Sequence, residues 1–163
     1  MNTHRSSREY FIVLSLIGVL CITAIPAIKA SPLGQSSKEI VVAFVSAYND
    51  HDVDQMMTFC TEDVRWLSVD GHSIETVVAG RQNLDTEMRD HFRRNPRAKS
   101  ELLVVGDDGP MVVAIEAATS EMGNTTGSQC SASVYRLRAG LIESVWYFEA
   151  YTCGMTNDGG SGQ

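Results

Sequence analysis

From Glu101 to Tyr151 the chain reads as four strands in succession, Glu101–Val105, Met111–Thr119, Gln129–Arg138 and Leu141–Tyr151, and this run most constrains the fold. The links are Gly106-Asp107-Asp108-Gly109-Pro110, a loop from Gly123 to Gly127, and a tight Ala139-Gly140 turn. An antiparallel meander of this length must bury one of its faces. The upstream sequence supplies the cover. Ser36-Ser37-Lys38-Glu39 has the form of a capping box, and Ile40, Phe44, Ala47 and Tyr48 recur behind it at helical spacing. Asp52 to Gln55 opens a second, short helix carrying Met56, Met57, Phe59 and Cys60. Val64–Val69 and Ile74–Ala79 read as strands around an Asp70-Gly71 turn, and Gly80 breaks the second. Arg81–Arg94 has Leu84, Met88 and Phe92 four apart and stops at Asn95-Pro96, which predicts a third helix. The expected fold is α+β: a curved antiparallel sheet wrapped around three helices, forming a cone with an internal pocket.

At the N-terminus, Arg5 and Arg8 precede an apolar run from Phe11 to Ile28, and Ala27-Ile28-Lys29-Ala30 offers small residues for cleavage. That order describes a secretory signal peptide over residues 1–30, and so a secreted or periplasmic protein. The alternative is an uncleaved signal that anchors the chain, since this 18-residue run, apolar apart from Ser15, Gly18, Thr23 and Pro26, can just span a bilayer. Residues 31–37 read as a linker, 38–153 as the folded domain, and 154–163 as a disordered Gly-rich tail. The chain carries 13 Lys+Arg against 20 Asp+Glu, a net −7. Removing residues 1–30 takes away Arg5, Arg8, Lys29 and Glu9, which leaves 10 basic and 19 acidic groups, a net −9. An acidic chain of this kind argues against a nucleic-acid partner, because phosphate binding needs clustered cations. Arg89, Arg93, Arg94, Arg97 and Lys99 do form one basic run, which reads either as an anion-steering patch or as a solvated helix end. No pairing of His with carboxylates shows metal spacing and no C-x-x-C occurs, so neither a metal nor a cofactor is expected.

Several stretches resemble the nuclear transport factor 2-like superfamily, in its SnoaL-like and ketosteroid-isomerase-like branch. They are Phe44 to Asp54, Glu62-Asp63-Val64-Arg65-Trp66, the Gly80 before the third helix, and Gly140-Leu141-Ile142 leading into Val145-Trp146-Tyr147-Phe148. Together they span about residues 38 to 151. The resemblance implies the cone fold, but the superfamily includes isomerases, dehydratases, cyclases, epoxide hydrolases and non-catalytic modules, so it does not fix an activity. Steroid-isomerase chemistry itself is not expected: the base position falls on Ser68, the Tyr donor on Phe44 and the acid on Ser133.

If the resemblance fixes the inward face, strand alternation points Trp66, Ser68 and Asp70 into the pocket, with Ser131, Ser133 and Tyr135 on the fifth strand. The last strand adds Glu143, Val145, Tyr147, Glu149 and Tyr151, leaving Ile142, Ser144, Trp146 and Phe148 on the convex face. The opposite parity would exchange these sets. Phe44 and His91 complete the expected lining. Asp70 and Glu149, with Tyr147 as hydrogen-bond donor, are the candidate acid–base residues, because an apolar cone raises a carboxylate's pKa. Otherwise Asp70 simply makes its turn and Glu149 sits at a solvated strand end. His91 reads either as a base at the rim or as a satisfied helical histidine.

After cleavage Cys60, Cys130 and Cys153 remain, which allows at most one internal disulfide; a Cys60–Cys153 bridge would tie the C-terminus over the cavity, and three unpaired buried thiols are the alternative. The expected function is an exported SnoaL-like domain, homodimeric through its convex face as the resemblance implies, that binds a small apolar ligand. Its catalytic form would be an isomerase, lyase or cyclase acting by proton transfer. The alternative is a non-catalytic dimerisation or interaction module.

Overall fold

The computed structural model describes residues 34–122 and 125–153. The signal-peptide segment, the first part of the linker and the Gly-rich tail lie outside the described residues. Helix α1 (Ser37–Asn49) starts at the capping box: Glu39 N donates to Ser36 Oγ, and Ser36 N donates back to Glu39 Oε2 at 2.7 Å. Its apolar stripe of Ile40, Val41, Phe44, Val45 and Ala47 is buried. Asp52 caps α2 (Val53–Thr58) by accepting from Gln55 N at 2.9 Å.

Strand β1 (Cys60–Val69) begins four residues before the expected Val64. Phe59 and Cys60, assigned from their apolar character to the second helix, instead end it and open the strand. Long-range pairing decides this: Cys60 sits opposite Ile142, whose N–H donates to Phe59 O at 2.7 Å. Strand β2 (Ile74–Ala79) and helix α3 (Arg81–Arg94) have the expected bounds. The meander follows as β3 (Lys99–Asp108), β4 (Met111–Met122), β5 (Thr125–Arg138) and β6 (Leu141–Phe148). The β5–β6 turn places Ala139 and Gly140 at φ 53° and 76°, the left-handed pair that a two-residue hairpin requires. The fourth strand of the meander breaks at Glu149-Ala150, and a two-residue β7 (Tyr151–Thr152) pairs with β5.

The sheet runs β2-β1-β6-β5-β4-β3, antiparallel except where β1 meets β6 in parallel. It curls, without closing, around the three helices. Between them lies the core, in which Phe44, Met56, Leu84, Val112, Tyr135, Ile142 and Val145 are buried. Among the described residues no helix is long and apolar enough to cross a membrane.

The inward parity holds along most of β5 and β6. Tyr135 faces Val145 and Ser133 faces Tyr147 in register, all on the inner face. A bulge then shifts the register between Arg136 and Leu137, so that Leu137 and Ile142 oppose each other, both buried. One inserted residue reverses the alternation beyond it. Ile142, expected on the convex face, therefore belongs to the core. Glu143, expected inside, ion-pairs with Arg136 at 3.0 Å and Arg138 at 2.8 Å. The cysteines also differ from expectation. Cys130 bridges Cys153, with Cα atoms 4.9 Å apart, and Cys60 is a free buried thiol. Pairing of β7 with β5 brings Cys153 beside Cys130, while Cys60 lies at the start of β1 with its thiol directed to Met56 O.

Candidate functional site

A cavity of about 270 Å³ opens between the helices and the inner face of the sheet. Phe44, Val45 and Tyr48 line it from α1, Met88 and His91 from α3, Trp66 from β1, Ser100 from β3, Glu116 and Ala118 from β4, and Tyr147 from β6. Helical spacing explains the first five: Tyr48 lies four residues after Phe44 and three after Val45, and Met88 and His91 are three apart, so each set shares a helix face. Strand parity explains Glu116 and Ala118, which continue the inward row begun by the buried Val112 and Ala114.

Glu116 is the chemical centre of this space. It is 4% exposed, and four hydroxyls surround its carboxylate. Ser133 Oγ and Tyr135 Oη donate to Oε1, the latter at 2.6 Å. Ser100 Oγ donates to Oε2 at 2.9 Å, and Tyr147 Oη lies 3.5 Å from the same oxygen. Tyr147 Oη is 3.0 Å from Tyr135 Oη, which forms a chain from the cavity through two phenols to the carboxylate. A buried polar group is stable when hydrogen-bonded in this way. Burial pushes the Tyr135 hydroxyl well above its ordinary range, and the Glu116 charge adds to it; Tyr147 is raised by burial, then by Tyr135 and Glu116. Both phenols therefore keep their protons at neutral pH.

On the opposite wall Tyr48 Oη and His91 Nε2 are 2.9 Å apart. Burial, with the Glu116 charge, pushes Tyr48 up to about 12. His91 is lowered, by burial first and then by the Arg94 and His51 charges, so its imidazole is neutral at pH 7. The Asn95 side-chain amide donates to His91 O at 3.1 Å and reaches Nδ1 at 3.5 Å, which steadies the ring. Aromatic rings make up much of the remaining wall: Trp66 stacks on Tyr147 with centroids 5.1 Å apart, and Phe44 leans on Trp66 at 6.1 Å.

Of the residues singled out from the sequence, Phe44, Trp66, His91 and Tyr147 line the cavity. Ser133 and Tyr135 stand behind it as donors to Glu116, and Val145 is packed in the core. The others lie elsewhere. Ser68 keeps the inner parity opposite Tyr147 but is exposed. Ser131 spends its hydroxyl on Phe148 O at 2.6 Å. Asp70 makes its turn, accepting from His72 N and Ser73 N, each at 2.7 Å, and those bonds hold its carboxyl below the usual range. Glu149 follows the end of β6 and is exposed, as is Tyr151 on β7. The strand break at Glu149-Ala150 removes both from the inner row. Glu116 itself went unnoticed in the sequence, although it is the one charged residue between Met111 and Thr119 and shares parity with Val112 and Ala114.

The fold has many counterparts among solved structures. An uncharacterised cystatin-fold protein of Novosphingobium aromaticivorans superimposes with a TM-score of 0.63 at 22% identity, covering 71% of this chain and all of its own. An LEH-like epoxide hydrolase of M. tuberculosis gives 0.57 at 21% identity, covering 69% of this chain and 80% of its own. A candidate polyketide cyclase of Pseudomonas putida gives 0.56 at 16% identity, covering 71% and 92%. No curated protein matches the sequence. The model of the SnoaL-like domain matches residues 41–145, which takes in both helices of the cavity wall, Glu116 and the first half of β6, and the chain belongs to that family.

Proposed function

We propose that the cavity binds a small, largely apolar molecule, that Glu116 meets its polar group, and that Glu116 and Tyr147 pass a proton to and from it. The observation that carries this reading is a carboxylate 4% exposed in an aromatic cavity, reached by the phenol chain of Tyr135 and Tyr147. Such a pair supplies what isomerase, lyase or cyclase chemistry needs: an acceptor for the proton that leaves and a donor for oxygen that gains charge. Glu116 takes over the role expected of Asp70 and Glu149, and Tyr147 keeps its own. The cyclase and hydrolase names of structural neighbours are consistent with this chemistry on this fold, but at their identities they support only the architecture.

The test is turnover of small cyclic ketones, enones and epoxides by the protein and by Glu116→Gln and Tyr147→Phe. Glu116→Gln keeps the shape of the side chain and is expected to lower kcat at least 100-fold, the scale of general-base loss. Tyr147→Phe is expected to lower it about tenfold or more by removing the donor. Full activity in Glu116→Gln would end the catalytic reading.

We also propose that the protein is exported and works as a homodimer. The Cys130–Cys153 disulfide is of a kind that persists in oxidising compartments and so favours export. The partly exposed apolar row on the outer face of the sheet, which includes Trp146 and Phe148, favours a second copy against it.

A further inference from the structure

We infer that the polar group received by Glu116 is a protonated amine or a quaternary ammonium, so that the ligand is a compact organic cation with an apolar body. The inference rests on the binding part of the proposed function alone and names the class of the bound molecule: a carboxylate that holds an ammonium serves as its anchor, so for such a ligand Glu116 binds rather than shuttles a proton.

The first support is an imbalance of charge. The partners of the Glu116 carboxylate are neutral hydroxyls, and among the described residues it forms no ion pair. Buried charges in proteins are usually matched by an opposite charge as well as by hydrogen bonds. Oε1 is engaged by both Ser133 and Tyr135, whereas Oε2 has one short bond, from Ser100, and a long approach from Tyr147. Oε2 thus retains acceptor capacity on the side of the cavity it lines.

The second support is the wall. Phe44, Tyr48, Trp66 and Tyr147 border the same space as Glu116. A cation gains from ring faces through the negative quadrupole of the aromatic system, and several rings with one carboxylate form a recurrent ammonium site. The third support is size. At interior packing density, 270 Å³ holds a molecule of roughly ten non-hydrogen atoms. A benzyl- or cyclohexylammonium fits that limit, and a four-ring steroid exceeds it.

Two nearby bases bear on the balance of charge. Arg94, at the end of α3, is exposed and engaged with Asp90 O; its charge reaches His91 but it does not line the cavity. His91 is neutral at pH 7, as described above. Glu116 is thus the one carboxylate, and with His91 neutral it faces no cation, among the described residues that line the cavity.

The experiment compares benzyltrimethylammonium with neopentylbenzene, which has the same shape and no charge, by NMR titration of the full chain and of Glu116→Gln. The cation is expected to bind at least tenfold more tightly than the hydrocarbon. In Glu116→Gln that preference is expected to disappear while the hydrocarbon's affinity stays within about threefold, which also shows that the variant is folded. Equal or tighter binding of neopentylbenzene to the unaltered protein, or an undiminished preference in Glu116→Gln, overturns the inference and leaves the binding reading intact. Binding of neither probe overturns both.

Discussion

His91 couples the cavity to pH through a single ring. In the folded chain its pKa lies below 6.5, through burial and the Arg94 and His51 charges, so the native protein takes up this proton less readily than the unfolded chain does. The sign follows from linkage: the contribution of neutral His91 to stability is complete above the unfolded value of about 6.5 and is lost as pH falls through the lower folded value. Protonation also alters the bond to Tyr48, because an imidazolium donates from both nitrogens and forces the phenol oxygen to accept. Urea denaturation from pH 8 down to pH 5 is expected to show a fall in stability that His91→Gln makes shallower. An identical slope in the variant would assign the dependence to other groups. Glu116 is tolerated in its buried position because Ser100 on β3 and Ser133 and Tyr135 on β5 all donate to it.

At the scale of the element, the β5–β7 pairing depends on a covalent link as well as on a short ladder. β7 has two residues, and two residue pairs hold it to β5. The Cys130–Cys153 bridge closes a segment of sequence separation 23, for which the chain-entropy account gives about 3 kcal/mol. Replacing both cysteines with serine is expected to remove about that much stability in urea, while ligands of the cavity bind as before, since neither cysteine lines it. A loss of cavity binding with unchanged stability would reverse the assignment. The same region shows what the sequence could and could not reveal. Local signals were sufficient for β2, α3 and the capping box at Ser36, because Gly80, Asn95-Pro96 and Glu39 act within a turn of where they stand. They failed where long-range pairing decides. The bulge at Glu143, opposite Arg136 and Leu137, turns Ile142 inward, and nothing in the alternation of Leu141 to Phe148 marks it. The break at Glu149-Ala150 then carried two candidate site residues away from the cavity. Glu116 was legible, as a lone charge in an apolar inward row, but its three donors lie 16, 17 and 19 residues away and only the register assembles them.

For the whole molecule, the outer face of the curled sheet carries the argument for a second copy. Register sets Leu67, Trp146, Val134 and Val113 in one row across β1, β6, β5 and β4, with Val69 and Phe148 paired in a second row. Leu67 is buried at the β1 end of the row, but Val113 is 53% and Phe148 42% exposed in the single chain, so the face is apolar and partly open, whereas the opposite face is covered by helices. A self-complementary patch of this kind suits a two-fold dimer, in which each copy lays the same row against the other. Because the row faces away from the cavity, dimerisation and ligand binding should separate under mutation. Val113→Asp tests this most cleanly: a carboxylate at a half-exposed site is tolerated in the monomer but would be desolvated in the dimer. Sedimentation equilibrium is expected to show a dimer for the unaltered chain and a dissociation constant at least tenfold higher for Val113→Asp, with cavity binding within about twofold of the original. A monomer at every concentration in the unaltered chain, or a dimer indifferent to both Val113→Asp and Trp146→Ala, would place the contact on another surface.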